Sequence, residues 1–255
     1  MRDPDWLAPD WHLPDVGALM TTRAGGVSAA PFDSLNLRDG LGDDAAAVAH
    51  NRRVLAQALG EAVPVYLNQV HGHQVVRLTA ADTLPDAPVH DADASVTTEP
   101  GIACSVQVAD CLPVLFVAKQ GRAVAAAHAG WRGLAAGVLE ATLHAVCAAA
   151  ACEPREVSAW LGACIGPSQF EVGPDVLQAF GAAPDSPRFK PHVPGKWWAD
   201  LPGLARDRLR AAGTSDVTGG RWCTVSEPSR FFSFRRDRVT GRMAAFVWIA
   251  PRRFS

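Results

Sequence analysis

Residues 123–150, AVAAAHAGWRGLAAGVLEATLHAVCAAA, organise the chain: an apolar strand passes through a tight turn into a long helix. His128 stands at the junction. A strand that ends in His and enters a helix by way of Gly130 and Gly133 holds an imidazole on rigid backbone. It also sits beside a helix N-terminus, where unpaired amides attract anions. Arg132 lies in the same turn. One apolar segment earlier, ADCLPVLFVAK sets Cys111 at the mouth of the preceding strand, so thiol and imidazole can face each other across neighbouring strands.

With 255 residues, 48% of them apolar, the chain can bury a large core, and a single domain over 1–255 is expected. Lys and Arg number 24 against 26 Asp and Glu, and the net charge of -2 gives no expectation of binding to nucleic acid or to an anionic membrane. An anionic substrate must therefore be held locally. No apolar run reaches the roughly 18 residues that span a bilayer. The start, MRDPDWLAPDW, lacks the apolar stretch of a signal peptide, so a cytoplasmic protein is expected. The six cysteines, Cys104, Cys111, Cys147, Cys152, Cys164 and Cys223, include no CxxC pair, which suits a reducing compartment better than a disulfide framework.

Along the chain, GALMTTRAGGVS reads as a strand running into a glycine turn, and 31–44 as an exposed loop rich in turn formers. Asp43 or Asp44 caps a helix in which Val48, Leu55 and Leu59 share a face and Gly60 supplies the stop. Two strands, 63–69 and 74–79, are expected on either side of a bend at His71, Gly72 and His73. Short strands at 94–97, 102–108 and 112–118 precede the one that ends at His128. Beyond the long helix come another strand in SAWLGACIGP, a short helix from Pro174, an irregular stretch over 181–199 and a helix over 200–213. The last part, RWCTVSEPSRFFSFRRDRVTGRMAAFVWIAP, reads as strand, polar loop, turn and a final apolar strand. Strands and helices mixed in this way favour an α+β sandwich over a regular doubly wound fold.

A catalytic zinc centre takes three protein ligands from His, Cys and carboxylate and leaves a fourth position for water or substrate. His71, Cys111 and His128 can supply such a set, because each stands where a strand meets a turn and residues distant in sequence can converge there. Plainer roles stay open for each: a hydrogen-bonded core histidine for His128, packing for Cys111, and capping of its bend for His71, with His73 as the alternative ligand.

In order along the chain, NQVHG, ADCLPVLF, AAHAGWRGL, IGPSQFEVG and FFSFRRD followed by TGR resemble the YfiH family of laccase-domain proteins. The likeness also takes in TTRAGGVS, PFDSLNL and HNRRVL, so it covers nearly the whole chain. It implies a four-layer α-β-β-α sandwich of mixed sheets and a zinc centre, with copper as the alternative ion, at His71, Cys111 and His128. It further implies purine nucleoside phosphorylase activity on adenosine, inosine or methylthioadenosine, with adenosine deaminase activity beside it. The family was first described as copper polyphenol oxidases, and bacterial members are linked to peptidoglycan-precursor editing.

Each activity sets a demand on the residues. Deamination needs a carboxylate that relays a proton from activated water, for which Asp110 and Asp93 are candidates, although an Asp at a strand end also serves as a turn or supporting hydrogen-bond partner. Phosphorolysis needs fixed cations and donors around phosphate, with Arg132 first, then Arg23 and Arg52. Asn36 and Gln69 are candidate contacts to sugar or base, or else turn stabilisers. Trp131 either stacks on a purine or packs its helix onto the sheet, and Arg235 and Arg236 either close the site or pair across a subunit interface. A Cys-dependent hydrolase or amidase with Cys111 as nucleophile is the alternative enzyme, and a nonenzymatic metal-binding protein the remaining reading. Two His and one Cys also suit a single blue-copper site, yet eight histidines with one HGH fall short of a trinuclear cluster. The expected state is a monomer or homodimer.

Overall fold

In the computed structural model, residue 3 and residues 5–251 are described; the outermost positions of the expected 1–255 unit, 1, 2, 4 and 252–255, lie outside the described residues. The strands in chain order are β1 (Val16–Met20), β2 (Val63–Val65), β3 (Val75–Arg77), β4 (Ala94–Thr97), β5 (Ile102–Val108), β6 (Leu112–Ala118) and β7 (Val124–Ala129). After them come β8 (Val157–Leu161), β9 (Glu171–Val172), β10 (Phe189–Pro191), β11 (Trp197–Ala199), β12 (Val217–Gly219) and β13 (Met243–Ile249). The helices are α1 (Ala45–Leu59), α2 (Trp131–Ala135), α3 (Val138–Ala150), α4 (Pro174–Ala179), α5 (Leu201–Ala211) and α6 (Phe234–Asp237). None is long and apolar enough to cross a membrane.

Every residue of β5, β6 and β7 is buried, because each strand is covered on both faces. One sheet has the order β1-β13-β5-β2 and the other β12-β8-β6-β7-β4-β3. Side chains alternate along each strand, and the alternation sorts them into layers. Met20, Cys104, Val106, Met243 and Val247 of the first sheet meet Leu115, Val117, Val124 and Ala126 of the second. On the outer face of the first sheet, Leu19, Ala244 and Phe246 pack against Leu55 and Leu59 of α1. On the outer face of the second, Val114, Phe116, Ala125 and Ala127 pack against Leu139, Leu143 and Val146 of α3 and Leu204 and Leu209 of α5. The result is the expected α-β-β-α sandwich. A fully buried side chain such as Phe116 or Phe246 contributes about 1.5–3 kcal/mol relative to leaving it in water.

Four local expectations are corrected. The helix after His128 is two helices, since Gly137 at φ 95° breaks it between α2 and α3. The segments around the His71 bend are three-residue strands in different sheets, so the bend carries the chain across the sandwich. The stretch expected to be irregular holds β10 and β11, which with β9 make a small antiparallel sheet pinned by buried Phe189 and Ala199. The strand expected at the start of RWCTVSEPSR is only a bridge between Cys223 and Cys164, and the loop after it forms α6, capped by the Ser233 side chain.

Candidate metal centre

Chain crossings between the two sheets build the site. The first crossing, between β2 and β3, carries His71 at φ 62°; the second, between β5 and β6, carries Asp110 at φ 90° and then Cys111. His128 lies near the end of β7 and, by alternation, faces the inter-sheet side with Val124 and Ala126.

Asp93, fully buried just before β4, locks two of these segments together. Its carboxylate accepts hydrogen bonds from the backbone amides of Val70 (3.2 Å), His71 (2.9 Å) and Gly72 (2.6 Å). It also lies 2.8 Å from Nδ1 of His128, and its carbonyl accepts from the His128 amide at 2.7 Å. Nδ1 being committed, Nε2 is the free nitrogen of the His128 ring. Asp110 anchors the other crossing, accepting from the Thr224 hydroxyl and the Arg235 amide, each at 2.6 Å, while its carbonyl accepts from the Ile165 amide at 2.9 Å.

The ligand atoms of His71, Cys111 and His128 all lie within 4.8 Å of one another. Sγ of Cys111 is 3.8 Å from Nε2 of His71, and the two imidazoles stand edge to face with centroids 4.8 Å apart. Two glycines of the HAGWRG turn permit this approach. A Cβ on Gly130 would stand 3.0 Å from the Cys111 sulfur and 3.0 Å from the His71 ring, and one on Gly133 would stand 2.6 Å from the Gly72 carbonyl oxygen.

Burial by itself would push the Cys111 thiol up, but the charge on His128 and hydrogen bonding with His128 and His71 outweigh it and bring the thiol down to about 6. Burial works against the His128 imidazolium too, yet the facing Cys111 thiolate and Asp93 raise it to about 9. Burial likewise opposes ionisation of Asp93, and hydrogen bonds from His128 and Gly72 hold its carboxyl below the usual range. One thiolate and two imidazoles, one of them oriented by a buried carboxylate, suit zinc with an open fourth position, and the same donors suit copper.

Two clefts meet at this cluster. The first, about 370 Å³, is lined by Arg38, Gln69, Gln107 and Arg242 together with all three candidate ligands. The second, about 310 Å³, is lined by Trp131, Arg132, Ile165, Phe170 and Arg235, and it shares His71, Cys111 and Phe234 with the first. Both clefts carry arginines, Arg38 and Arg242 in the first and Arg132, Arg235 and Arg238 in the second, and the second alone adds Trp131, Phe170 and the Asp110 carboxylate.

Of the other residues singled out in the sequence, Gln69 lines the first cleft, its amide paired with the backbone of Gln107. Arg132 lines the second, its guanidinium 4.3 Å from the Trp131 ring centre, and Asp110 lines that cleft with its carboxylate already engaged. Arg236 donates to the carbonyls of Thr224, Val225 and Phe231. The remaining three lie outside both clefts. Arg23 pairs with Asp33 at 3.0 Å in a separate hollow with Ser34 and Pro228, and Arg52 pairs with Asp39 at 2.6 Å over the Tyr66 ring. Asn36 is fully buried, with its amide spent on Arg38, Asp43 and Arg242. His73 is exposed and does not join the cluster. Sequence reasoning missed Arg38, Gln107 and Arg242; Arg242 stands in the TGR motif, but nothing in spacing announces that it meets Arg38.

A family model described as multi-copper polyphenol oxidoreductase laccase matches residues 17–250. A Pseudomonas aeruginosa protein named purine nucleoside phosphorylase is 50% identical over 248 residues, covering 96% of this chain and 98% of its own. The Escherichia coli protein named purine nucleoside phosphorylase YfiH is 48% identical over 247 residues, covering 95% of this chain and 98% of its own. The crystal structure of a Neisseria meningitidis protein, 46% identical, superposes with a TM-score of 0.88 over 97% of this chain and 100% of that one.

Proposed function

The chain belongs to the YfiH-type laccase-domain family, and from that premise we propose that it is a purine nucleoside phosphorylase acting on adenosine, inosine or methylthioadenosine. The observation that carries the reading is the cluster of His71, Cys111 and His128 where two clefts meet, both lined by arginines and the second also by Trp131 and Phe170, which gives room for two substrates, an anion and a flat base, on either side of the cluster. Relatives that carry the phosphorylase name at 48–50% identity support it.

Phosphorolysis forms a bond from a phosphate oxygen to the anomeric carbon of the sugar and breaks the bond from that carbon to the purine. The purine departs with the electron pair and takes up a proton. Zinc held by His71, Cys111 and His128 would supply a Lewis-acid charge at its open position. The chain's own residues do the positioning. Trp131, Phe170 and Phe234 offer apolar surface to a flat base, and Arg132 borders the same cleft. Asp93 keeps His128 in the tautomer that presents Nε2. Adenosine deamination is the accompanying activity in this proposal, with Asp110, beside Cys111 in the second cleft, as the proton relay. Six free thiols accord with a cytoplasmic setting.

Laccase chemistry ranks low, because among the described residues His71, Cys111 and His128 form the single group of three or more such ligands, whereas a trinuclear copper cluster needs several further histidines. A thiol hydrolase is the second reading, favoured by the low pKa of Cys111 and its contact with His71. The deciding experiment screens adenosine, inosine and methylthioadenosine with and without phosphate. Free base together with sugar 1-phosphate, formed with phosphate and lost on chelation, supports the proposal. Turnover that survives chelation points to the thiol hydrolase, and an absence of nucleoside cleavage removes the phosphorylase reading.

A further inference from the structure

Four arginines near the site are spent on acids: Arg23 on Asp33, Arg52 on Asp39, Arg230 on Glu227 and Arg236 on Asp237. Arg132, Arg235 and Arg238 line the second cleft over aromatic rings and beside the Asp110 carboxylate. Arg38 and Arg242 share the other cleft, whose lining holds no carboxylate. Among the described residues neither has a carboxylate within ion-pair distance, yet both are half-buried and line the same 370 Å³ cleft as the three candidate ligands. Two like charges drawn into one cleft with no carboxylate in ion-pair range repel each other and lose hydration, a cost that an anion between them reverses.

Their placement is built. The buried side chain of Asn36 accepts from the backbone amide of Arg38 at 3.1 Å and from that of Arg242 at 2.9 Å, and it donates to the Arg38 carbonyl at 3.0 Å. A single amide thereby clasps two segments from opposite ends of the chain. The Arg242 guanidinium is steadied by donation to the Thr240 and Gly241 carbonyls, while that of Arg38 makes no hydrogen bond among the described residues.

We propose that Arg38 and Arg242 form the phosphate subsite of the reaction, with Asn36 as the residue that positions both. A tetrahedral oxyanion matches the guanidinium fork, which can donate two parallel hydrogen bonds. Phosphate held there lies in the cleft that reaches His71, Cys111 and His128, and the nucleoside enters from the aromatic side past Phe234, which borders both clefts. The assignment rests on the phosphorolysis reading and moves the anion away from Arg132, Arg52 and Arg23.

The test titrates inorganic phosphate into the zinc-loaded protein by calorimetry and measures KM separately for phosphate and nucleoside in the wild type, Arg38→Met and Arg242→Met. Loss of a charge-assisted donor raises the Kd and KM for phosphate at least about tenfold, while nucleoside KM moves less than about threefold. Arg38→Lys restores part of the loss. Arg242→Met also removes donors to two carbonyls, so Arg38→Met, which disturbs no described hydrogen bond, is the decisive variant. Phosphate binding that survives Arg38→Met within twofold, or a wild type that binds no phosphate, overturns the subsite. Phosphate binding lost in Arg38→Met in a protein that cleaves no nucleoside would overturn the phosphorylase reading and leave the subsite standing.

Discussion

Replacing Asp93 with Asn should damage the metal site and the fold together. The carboxylate receives three backbone amides and faces Nδ1 of His128, at distances of 2.6–3.2 Å, from a fully buried position. Asn keeps one acceptor oxygen; its amide group turns donor against donor on the other side. About two charge-assisted hydrogen bonds are lost, each about 1.5–3 kcal/mol, so the metal-free protein should lose about 3–6 kcal/mol in urea unfolding. His128 also loses its orienting partner, which typically lowers metal affinity about 10–100-fold, or about 1.4–2.8 kcal/mol. Competition against a chromogenic chelator reads the second quantity. Because the Asp93 carboxyl is held below its ordinary value, its contribution to the wild type is complete above pH about 4 and is lost as the pH falls through the lowered value; the variant lacks this dependence. An Asp93→Asn protein with wild-type unfolding and wild-type zinc affinity would refute the argument.

Three other changes test separate parts of the structure. Gly133→Ala puts a methyl 2.6 Å from the Gly72 carbonyl oxygen, so α2 and the His71 turn must part; a stability loss of about 1–3 kcal/mol and weakened zinc binding are expected, measured by urea unfolding and chelator competition. In chelator-treated protein at pH 7, iodoacetamide should modify Cys111 first, with a rate that falls as the pH drops through about 6 and the thiolate is protonated, while buried Cys104, pushed up to about 12, stays unreactive; peptide mapping reads both. Phe116→Ala, in the fully buried layer between the second sheet and α3, should cost about 3–5 kcal/mol of stability.

The sequence makes some of this fold legible and hides the rest for physical reasons. Ile102–Val108 and Leu112–Ala118 were readable to the residue because strands covered on both faces are continuous apolar runs bounded by turn residues. Pairing of β1 with β13, from opposite ends of the chain, has no local signal. Gly137 was hidden inside an otherwise good helical pattern, since a single glycine breaks a helix only when it turns left-handed. At the site, His71, Cys111 and His128 stood out because each interrupts an apolar pattern where a strand meets a turn. Asp93 was legible as a candidate proton relay or as a turn or supporting hydrogen-bond partner; its hold on both His71 and His128 exists in three dimensions alone. Arg38 and Arg242 escaped notice because an arginine in a polar loop looks like solvated surface until the fold draws it into a cleft with, among the described residues, no carboxylate in ion-pair range.

The decisive measurement is zinc-edge X-ray absorption with metal counting on the reconstituted wild type and on Cys111→Ser. One zinc per chain, with one sulfur and two imidazole nitrogens among its neighbours in the wild type and the sulfur scattering absent from the variant, is the predicted result. A sulfur-free shell in the wild type, or full zinc retention with an unchanged spectrum after Cys111→Ser, would contradict it.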